Sequence, residues 1–349
     1  MENVKVSARQ AQDFCTECFE KSGVPKENAE NIADNLVLAN LRGVDSHGII
    51  RIPYYVEGIR KGLVKASSDI RIVEESASIT LLDGGNGLGI PVATKATALA
   101  IDKAKSTGVG IVGVRNLGHV GMLAYYLKKV IGHGFIGFAC VNAAAVMIPW
   151  GGRENLFGTN PLGIGFPVDE GSSIILDMAT SGLARFKIRV AARRGKAIPE
   201  GVALDKQGKP TTDPKAALEG FLLPFGGYKG YGLVLAVEVL ASALLGALQS
   251  KYIKAHASTQ GGFLIAAIDI RKFRDYGAYQ QDVLHLIGNV KSCPPMAGFT
   301  EVFLPGEIEE REAGKRAKDG IPIEDETWKE LTNLAKELNI KPPRAQRSL

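Results

Sequence analysis

The apolar and polar positions change period along the chain. Up to about residue 62 apolar side chains recur at helical spacing. Phe14, Cys18 and Phe19 share a face behind Ser7, a helix cap; after a break at Val24-Pro25, a second helix from Asn28 to Asn40 carries Ile32, Leu36 and Ala39 on one side. That helix leads through Gly43 into Asp45-Ser46-His47-Gly48, and Ile49 to Ile59 resumes the helical period. From about residue 69 alternation takes over, at Ile70, Ile72 and Val73 and again from Ile79 to Leu82, with Asp83-Gly84-Gly85 read as a turn. Val92 to Ser106 then reads as an Ala-rich helix, Val109 to Arg115 as a strand, Met122 to Ile131 as a helix and Phe135 to Val141 as a buried strand. Ile174 to Met178 and Phe263 to Ile268 are further strands, and 181–194, Tyr279 to Lys291, Ile308 to Lys318 and Glu326 to Leu338 further helices.

This order predicts an α/β fold, a mixed sheet with helices packed on it, plus a helical domain built from the N- and C-terminal segments. The expected division is an N-terminal helical domain over 1–68, an α/β domain over 69–300, C-terminal helices over 301–340 that return to the N-terminal domain, and a flexible tail over 341–349. Gly230 to Gln249 is apolar for 20 residues, long enough to span a bilayer. Glu238 at its centre, a costly carboxylate at mid-membrane, makes it a buried core helix instead.

Composition narrows the function. Apolar residues at 45% and charged residues at 23% describe a globular chain, and the net charge of +5 comes from 42 basic residues scattered among 37 acidic ones, which excludes a concentrated nucleic-acid surface. The densest basic run, Lys187 to Lys196, reads as a solvated helix face. Four cysteines are too few for a disulfide framework, and Cys15 and Cys18 lie in an amphipathic helix without a redox or zinc context. With no leader pattern at the start, a reducing cytoplasm is the expected compartment.

Two segments match the dinucleotide fingerprint G-x-G-x-x-G, at Gly108, Gly110 and Gly113 and at Gly132, Gly134 and Gly137. That fingerprint works only where a strand ends and a helix opens, so that free amides meet the pyrophosphate. Both matches run from helix into strand, which argues against a Rossmann fold.

Oxidising a secondary alcohol needs a base for the hydroxyl proton and a cation for a neighbouring carboxylate. Histidine serves the first in both directions near neutral pH, and the rigid fork of arginine serves the second. His47 and Arg51 supply this pair four residues apart, a spacing that puts both on one helix face. Gly118-His119-Val120-Gly121 stands between a strand and a helix, Phe157 to Pro161 is a polar turn, and Leu223 to Gly232 offers glycine amides and Lys229 to a phosphate-bearing ligand.

Together the Asp45 to Gly48 segment, Gly158-Thr159-Asn160-Pro161, Leu176-Asp177-Met178-Ala179-Thr180-Ser181, Pro224 to Gly232 and Pro305-Gly306-Glu307 resemble the malate/L-lactate dehydrogenase family from residue 5 to about 340. The resemblance implies a non-Rossmann α/β fold whose central domain binds the cofactor, NAD or NADP in extended form, a small 2-hydroxy or 2-oxo acid as substrate, no metal, and a homodimer with its cleft near the interface. By position it implies His47 as proton donor and acceptor, Ser46 as its polarising neighbour, and His119 as a second histidine beside substrate and cofactor. Arg51 and Thr159 match substrate contacts. Gly121, Asp177, Met178, Ala179, Lys229, Pro305, Gly306 and Glu307 match the cofactor-lining segments. The stretches Ile198 to Pro214 and Pro305 to Arg311 are similar to the archaeal L-sulfolactate and malate branch, whose second anionic group would need another cation, for which Arg185 or Lys187 is a candidate. Phe186 stands where relatives carry glycine, and a large ring beside the cleft raises a second expectation: a non-catalytic or altered-specificity binding homologue with a narrowed pocket.

Overall fold

The computed structural model describes residues 4–169, 171–254 and 260–344. In chain order it forms β1 (Val4–Val6), α1 (Ala8–Lys21), α2 (Lys26–Leu41), two short 3-10 turns at Asp45–His47 and Ile49–Arg51, α3 (Ile52–Arg60), β2 (Arg71–Glu75) and β3 (Ile79–Gly87). There follow α4 (Gly89–Thr107), β4 (Val109–Leu117), α5 (Leu123–Ile131), β5 (Phe135–Val141), β6 (Leu162–Asp169), β7 (Ser172–Met178) and α6 (Arg185–Arg194). The remainder is β8 (Ala203–Leu204), α7 (Pro214–Glu219), β9 (Phe221–Leu222), α8 (Tyr228–Glu238), β10 (Gly261–Asp269), α9 (Tyr276–Lys291), α10 (Glu307–Asp319), β11 (Ile321–Ile323) and α11 (Asp325–Leu338). Most of the expected 341–349 tail, residues 345–349, lies outside the described residues.

The sheet runs β2-β3-β4-β10-β5-β6-β7, and only β3 and β4 pair in parallel. Its layers follow from side-chain alternation. On β10, Phe263, Ile265 and Ala267 pack with the buried faces of α4 and α5, whereas Leu264 faces Val237 and Ala241 on the other side. Helices therefore cover both faces of a mixed sheet, and no phosphate-binding turn opens a helix at either glycine motif: Gly108 (φ +88°) ends α4, and Gly132 ends α5. A separate buried cluster joins Phe14, Phe19, Ile32 and Leu36 of α1 and α2 to Ile52 and Tyr55 of α3, Ile321 of β11 and Leu331 of α11. β1 and β11 pair antiparallel beside it.

Several expectations need correction. Asp83-Gly84-Gly85 is no turn: β3 continues through it as a bulge, with Gly85 and Asn86 at positive φ and the register to β4 shifting between Asp83 and Gly87. β6 went unforeseen because Gly163, Gly165 and Pro167 hide its alternation; a Cβ at Gly163 would meet Leu127 of α5 at 2.8 Å, so the glycine is what lets α5 lie on the sheet. The apolar run from Gly230 is not one long buried helix. α8 ends at Glu238, a π-helical turn covers Val239–Ala243, and one side stays open, with Val239 51% and Leu244 61% exposed. Apolarity there marks a face, not an interior. No described helix is long and apolar enough to cross a membrane.

Candidate active site

The site begins at the end of α2, where a buried amide organises the turn that follows. Asn40 donates Nδ2 to Asp45 Oδ1 at 2.6 Å and accepts the Ile49 amide on Oδ1 at 2.8 Å. A Cβ on Gly48 would lie 2.2 Å from that amide oxygen, so only glycine lets the chain close over Asn40. Gly48 is extended (φ −86°, ψ −156°) and splits the segment into two 3-10 turns, so His47 and Arg51 do not share one helix face as their spacing predicted. The polar grip of Asn40 overrides helical continuity. Arg316 of α10 completes the clamp, donating Nη1 to Asp45 Oδ1 and to the Asn40 carbonyl, both at 2.7 Å.

His47 stands on this turn with Nδ1 2.9 Å from Ser46 Oγ. Arg51 returns beneath it, donating Nε to the Ser46 carbonyl at 2.6 Å. Burial, with the Arg51 charge second, lowers the His47 pKa from 6.5 to about 3. His119 follows β4, and its ring stacks on that of His47 with centroids 5.4 Å apart and planes 24° from parallel. Its Nδ1 lies 2.6 Å from Tyr55 Oη and accepts the Gly121 amide at 3.2 Å. Burial first, then Arg51 and His47, keep this ring well below its usual pKa. Asn35, also on α2, fixes the loop by accepting the Met122 amide at 3.2 Å and donating to the Val120 carbonyl at 3.4 Å.

Both rings open onto a pocket of about 480 Å³, mouth included, whose walls also contain Gly121, Asn142, Thr159 and Gly261. A knot of buried polar groups braces the far wall: Glu238 accepts from the Ser250 amide (2.7 Å), Ser250 Oγ (2.5 Å) and Asn160 Nδ2 (2.6 Å), and Asn142 accepts the Gly262 amide at 2.8 Å. The lone carboxylate of the apolar run thus holds the turn that presents Thr159.

His47, His119, Gly121 and Thr159 are therefore brought together, and Ser46 touches the His47 ring. The remaining motif segments are sewn to that turn through the backbone. The Thr180 amide donates to the Thr159 carbonyl (2.9 Å), the Phe225 amide to the Thr180 carbonyl (3.0 Å), and the Ile175 amide to the Pro305 carbonyl (3.1 Å). Along this seam Met178 pairs with Leu162, Ala179 ends the strand, and Asp177 accepts the Ala124 amide at 2.8 Å in the first turn of α5. Gly306 (φ +85°) lies so close to Ile175 that a Cβ would meet its carbonyl at 2.8 Å. Glu307 is already engaged by Lys291, Arg311 and the Leu304 amide. Lys229 is exposed on the first turn of α8, whose cap residue Gly227 supplies no side chain to the free amides.

Arg51, Arg185 and Phe186 lie outside the pocket walls, Arg51 although its charge acts on both imidazoles. Arg185 heads α6 and donates Nη2 to the Leu218 carbonyl at 3.1 Å, and Phe186 next to it does not line the pocket. The ring that prompted the expectation of a narrowed cleft is therefore not what bounds it. Sequence reasoning missed Tyr55, Asn35, Asn40 and Arg316. The available signal was polarity out of place: Asn35 and Asn40 are buried positions on an otherwise apolar helix side.

A mixed sheet without a Rossmann turn, beside a small pocket lined by His47 and His119 with Arg51 near both, fits the class of non-Rossmann hydroxy acid dehydrogenases. The chain belongs to the malate/L-lactate dehydrogenase family, whose sequence model matches residues 6–332. It is 43% identical over 326 residues to the L-sulfolactate dehydrogenase of Methanocaldococcus jannaschii, covering 92% of this chain and 94% of that protein. The solved structure of malate dehydrogenase from Pyrococcus horikoshii superimposes with a TM-score of 0.90 at 34% identity, covering 97% of each chain. The NAD(+) ureidoglycolate dehydrogenase of Escherichia coli is 33% identical over 320 residues, covering 90% of this chain and 91% of its own.

Proposed function

We propose that the protein is an NAD- or NADP-dependent dehydrogenase interconverting a small 2-hydroxy acid of malate, sulfolactate or lactate type and its 2-oxo acid, with His47 moving the hydroxyl proton. The observation that carries this reading is a pocket lined by both His47 and His119, with the Arg51 charge close enough to act on the two rings. With its pKa lowered to about 3, His47 is unprotonated at neutral pH and free to accept a proton. Arg51 gives Nε to the backbone and lies over the Tyr54 ring, 6.0 Å from its centroid, and in this reading the outer edge of its fork meets the substrate carboxylate. An anion seated there offsets the charge that opposes ring protonation, so His47 becomes more basic when substrate arrives. Thr159 lines the pocket wall, and Arg185, which lies outside it with Nη2 on the Leu218 carbonyl, would have to move to reach a second anionic group there.

The residues present fit a nicotinamide dinucleotide. The uncapped α8 N-terminus and Lys229 suit a phosphate, and the end of β7 runs beside Pro305 and Gly306, close to the pocket that His119 and Gly121 line. When bound, the nicotinamide supplies the acceptor for the C2 hydride. The open face of α8, with α9 exposing Leu284 and Leu286 beside Met296 and Phe299, supports a homodimer. The cytoplasm is the compartment we assign.

A panel of oxaloacetate, sulfopyruvate and pyruvate, each with NADH and NADPH, tests the reading through loss of reduced-nicotinamide absorbance. At least one pair should turn over, and His47→Ala should lower kcat/KM by about 10²- to 10⁴-fold. A folded protein inert toward every pair, or a His47→Ala variant within a few-fold of the parent, overturns it.

A further inference from the structure

The two stacked histidines are wired differently. His119 Nδ1 faces the Gly121 amide at 3.2 Å, which can only donate, and the buried Tyr55 hydroxyl at 2.6 Å, which turns its hydrogen toward the lone pair that the amide already requires there. A proton on Nδ1 would point at the Gly121 hydrogen, so the neutral ring carries its proton on Nε2. The loop cannot relax to change this. Asn35 holds both sides of Gly121, and a Cβ at that position (φ +71°) would meet Asn35 Oδ1 at 2.2 Å. Among the described residues Nε2 has no protein partner, although the ring lines the pocket. His47 differs. Its Nδ1 faces only the Ser46 hydroxyl, which can rotate to donate or accept, so this ring can gain and lose a proton without a backbone penalty.

We propose that Tyr55, together with the Gly121 amide, locks His119 as the Nε2–H imidazole, so that His119 donates a hydrogen bond to the C2 oxygen of the substrate and leaves proton transfer to His47. The division rests on the dehydrogenase reading for its substrate, but the tautomer does not. In alcohol oxidation the O–H bond breaks toward His47, and a new N–H bond forms there. His119 keeps its own proton and stabilises the charge developing on that oxygen. Tyr55 acts through His119 and is a positioning residue. Among the described residues the charged and titratable groups facing the His119 ring are Tyr55, His47 and Arg51, and the Arg51 charge, with any proton on His47, opposes a second proton on it.

Long-range ¹⁵N–¹H correlation on histidine-labelled, ligand-free protein reads the tautomer directly. The expected result is His119 as Nε2–H between pH 6 and 8; an Nδ1–H ring or an imidazolium there overturns the assignment, whatever the activity. In Tyr55→Phe one donor to Nδ1 is lost, so His119 should begin to protonate at a higher pH than in the parent; an unchanged titration counts against Tyr55. Kinetically, His119→Gln keeps an N–H donor and should retain activity within about tenfold of the parent, whereas His47→Gln, which donates but cannot shuttle a proton, should fall by about 10²-fold or more. Equal losses in the two variants would sink the division of labour. Should no substrate turn over at all, the spectra still decide the tautomer, separating failure of this proposal from failure of the dehydrogenase reading.

Discussion

At the scale of single residues the site is governed by what burial does to imidazole. His47 binds a proton less tightly in the folded chain, at about 3, than the ordinary 6.5 of an unfolded one. Between those values the unfolded state holds more protons, so stability rises with pH across the window: the contribution is complete above about 6.5 and is lost as pH falls toward 3. His119 adds in the same direction. Thermal melts at pH 7, 5.5 and 4.5 should therefore show the parent losing Tm more steeply on acidification than His47→Gln, whose amide does not titrate. Parallel slopes would mean that His47 is not neutral in the folded protein. The residues that touch the pocket were largely legible in the sequence, since His47, His119 and Thr159 sit in compact motifs. Tyr55 was not, because its partner His119 lies 64 positions away and nothing local to α3 marks the contact.

At the scale of elements, strong periodicity was readable and its interruptions were not. α2, α4 and β10 follow from apolar spacing, whereas β6 is masked by the glycines that admit α5, and the segment from Asp45 to Arg51 breaks from helix because a side chain of α2 captures its backbone. Asn40→Ala would leave the buried Ile49 amide without its acceptor and Asp45 without its donor. The expected cost is about 1–3 kcal/mol in denaturant unfolding, with a larger proportional loss in kcat than in binding of a substrate analogue, because the turn carrying His47 loosens. Unchanged stability in Asn40→Ala would show that water replaces the amide without penalty.

At the scale of the whole molecule, the apolar surface is unevenly distributed. Val239, Leu244, Leu286, Met296 and Phe299 are all more than half exposed, while the centre of the sheet and the helical cluster are closed. A sequence cannot tell a buried apolar face from an exposed one, and the stretch after Gly230 was for this reason assigned to the interior. Light scattering should give a mass near twice 37.2 kDa. The double variant Val239→Glu and Leu286→Glu should shift that mass toward the monomer; a parent that is monomeric at micromolar concentration would refute the pairing.

One helix grips both histidine-bearing loops, Asn35 holding one and Asn40 the other. The imidazoles are thus mounted on a common shaft. When α2 tilts or breathes, the pair travels as a unit and the span between them is preserved, whereas a change in either loop alone alters that span without moving its counterpart. The two rings can drift as a block within the fold while the gauge between them stays constant.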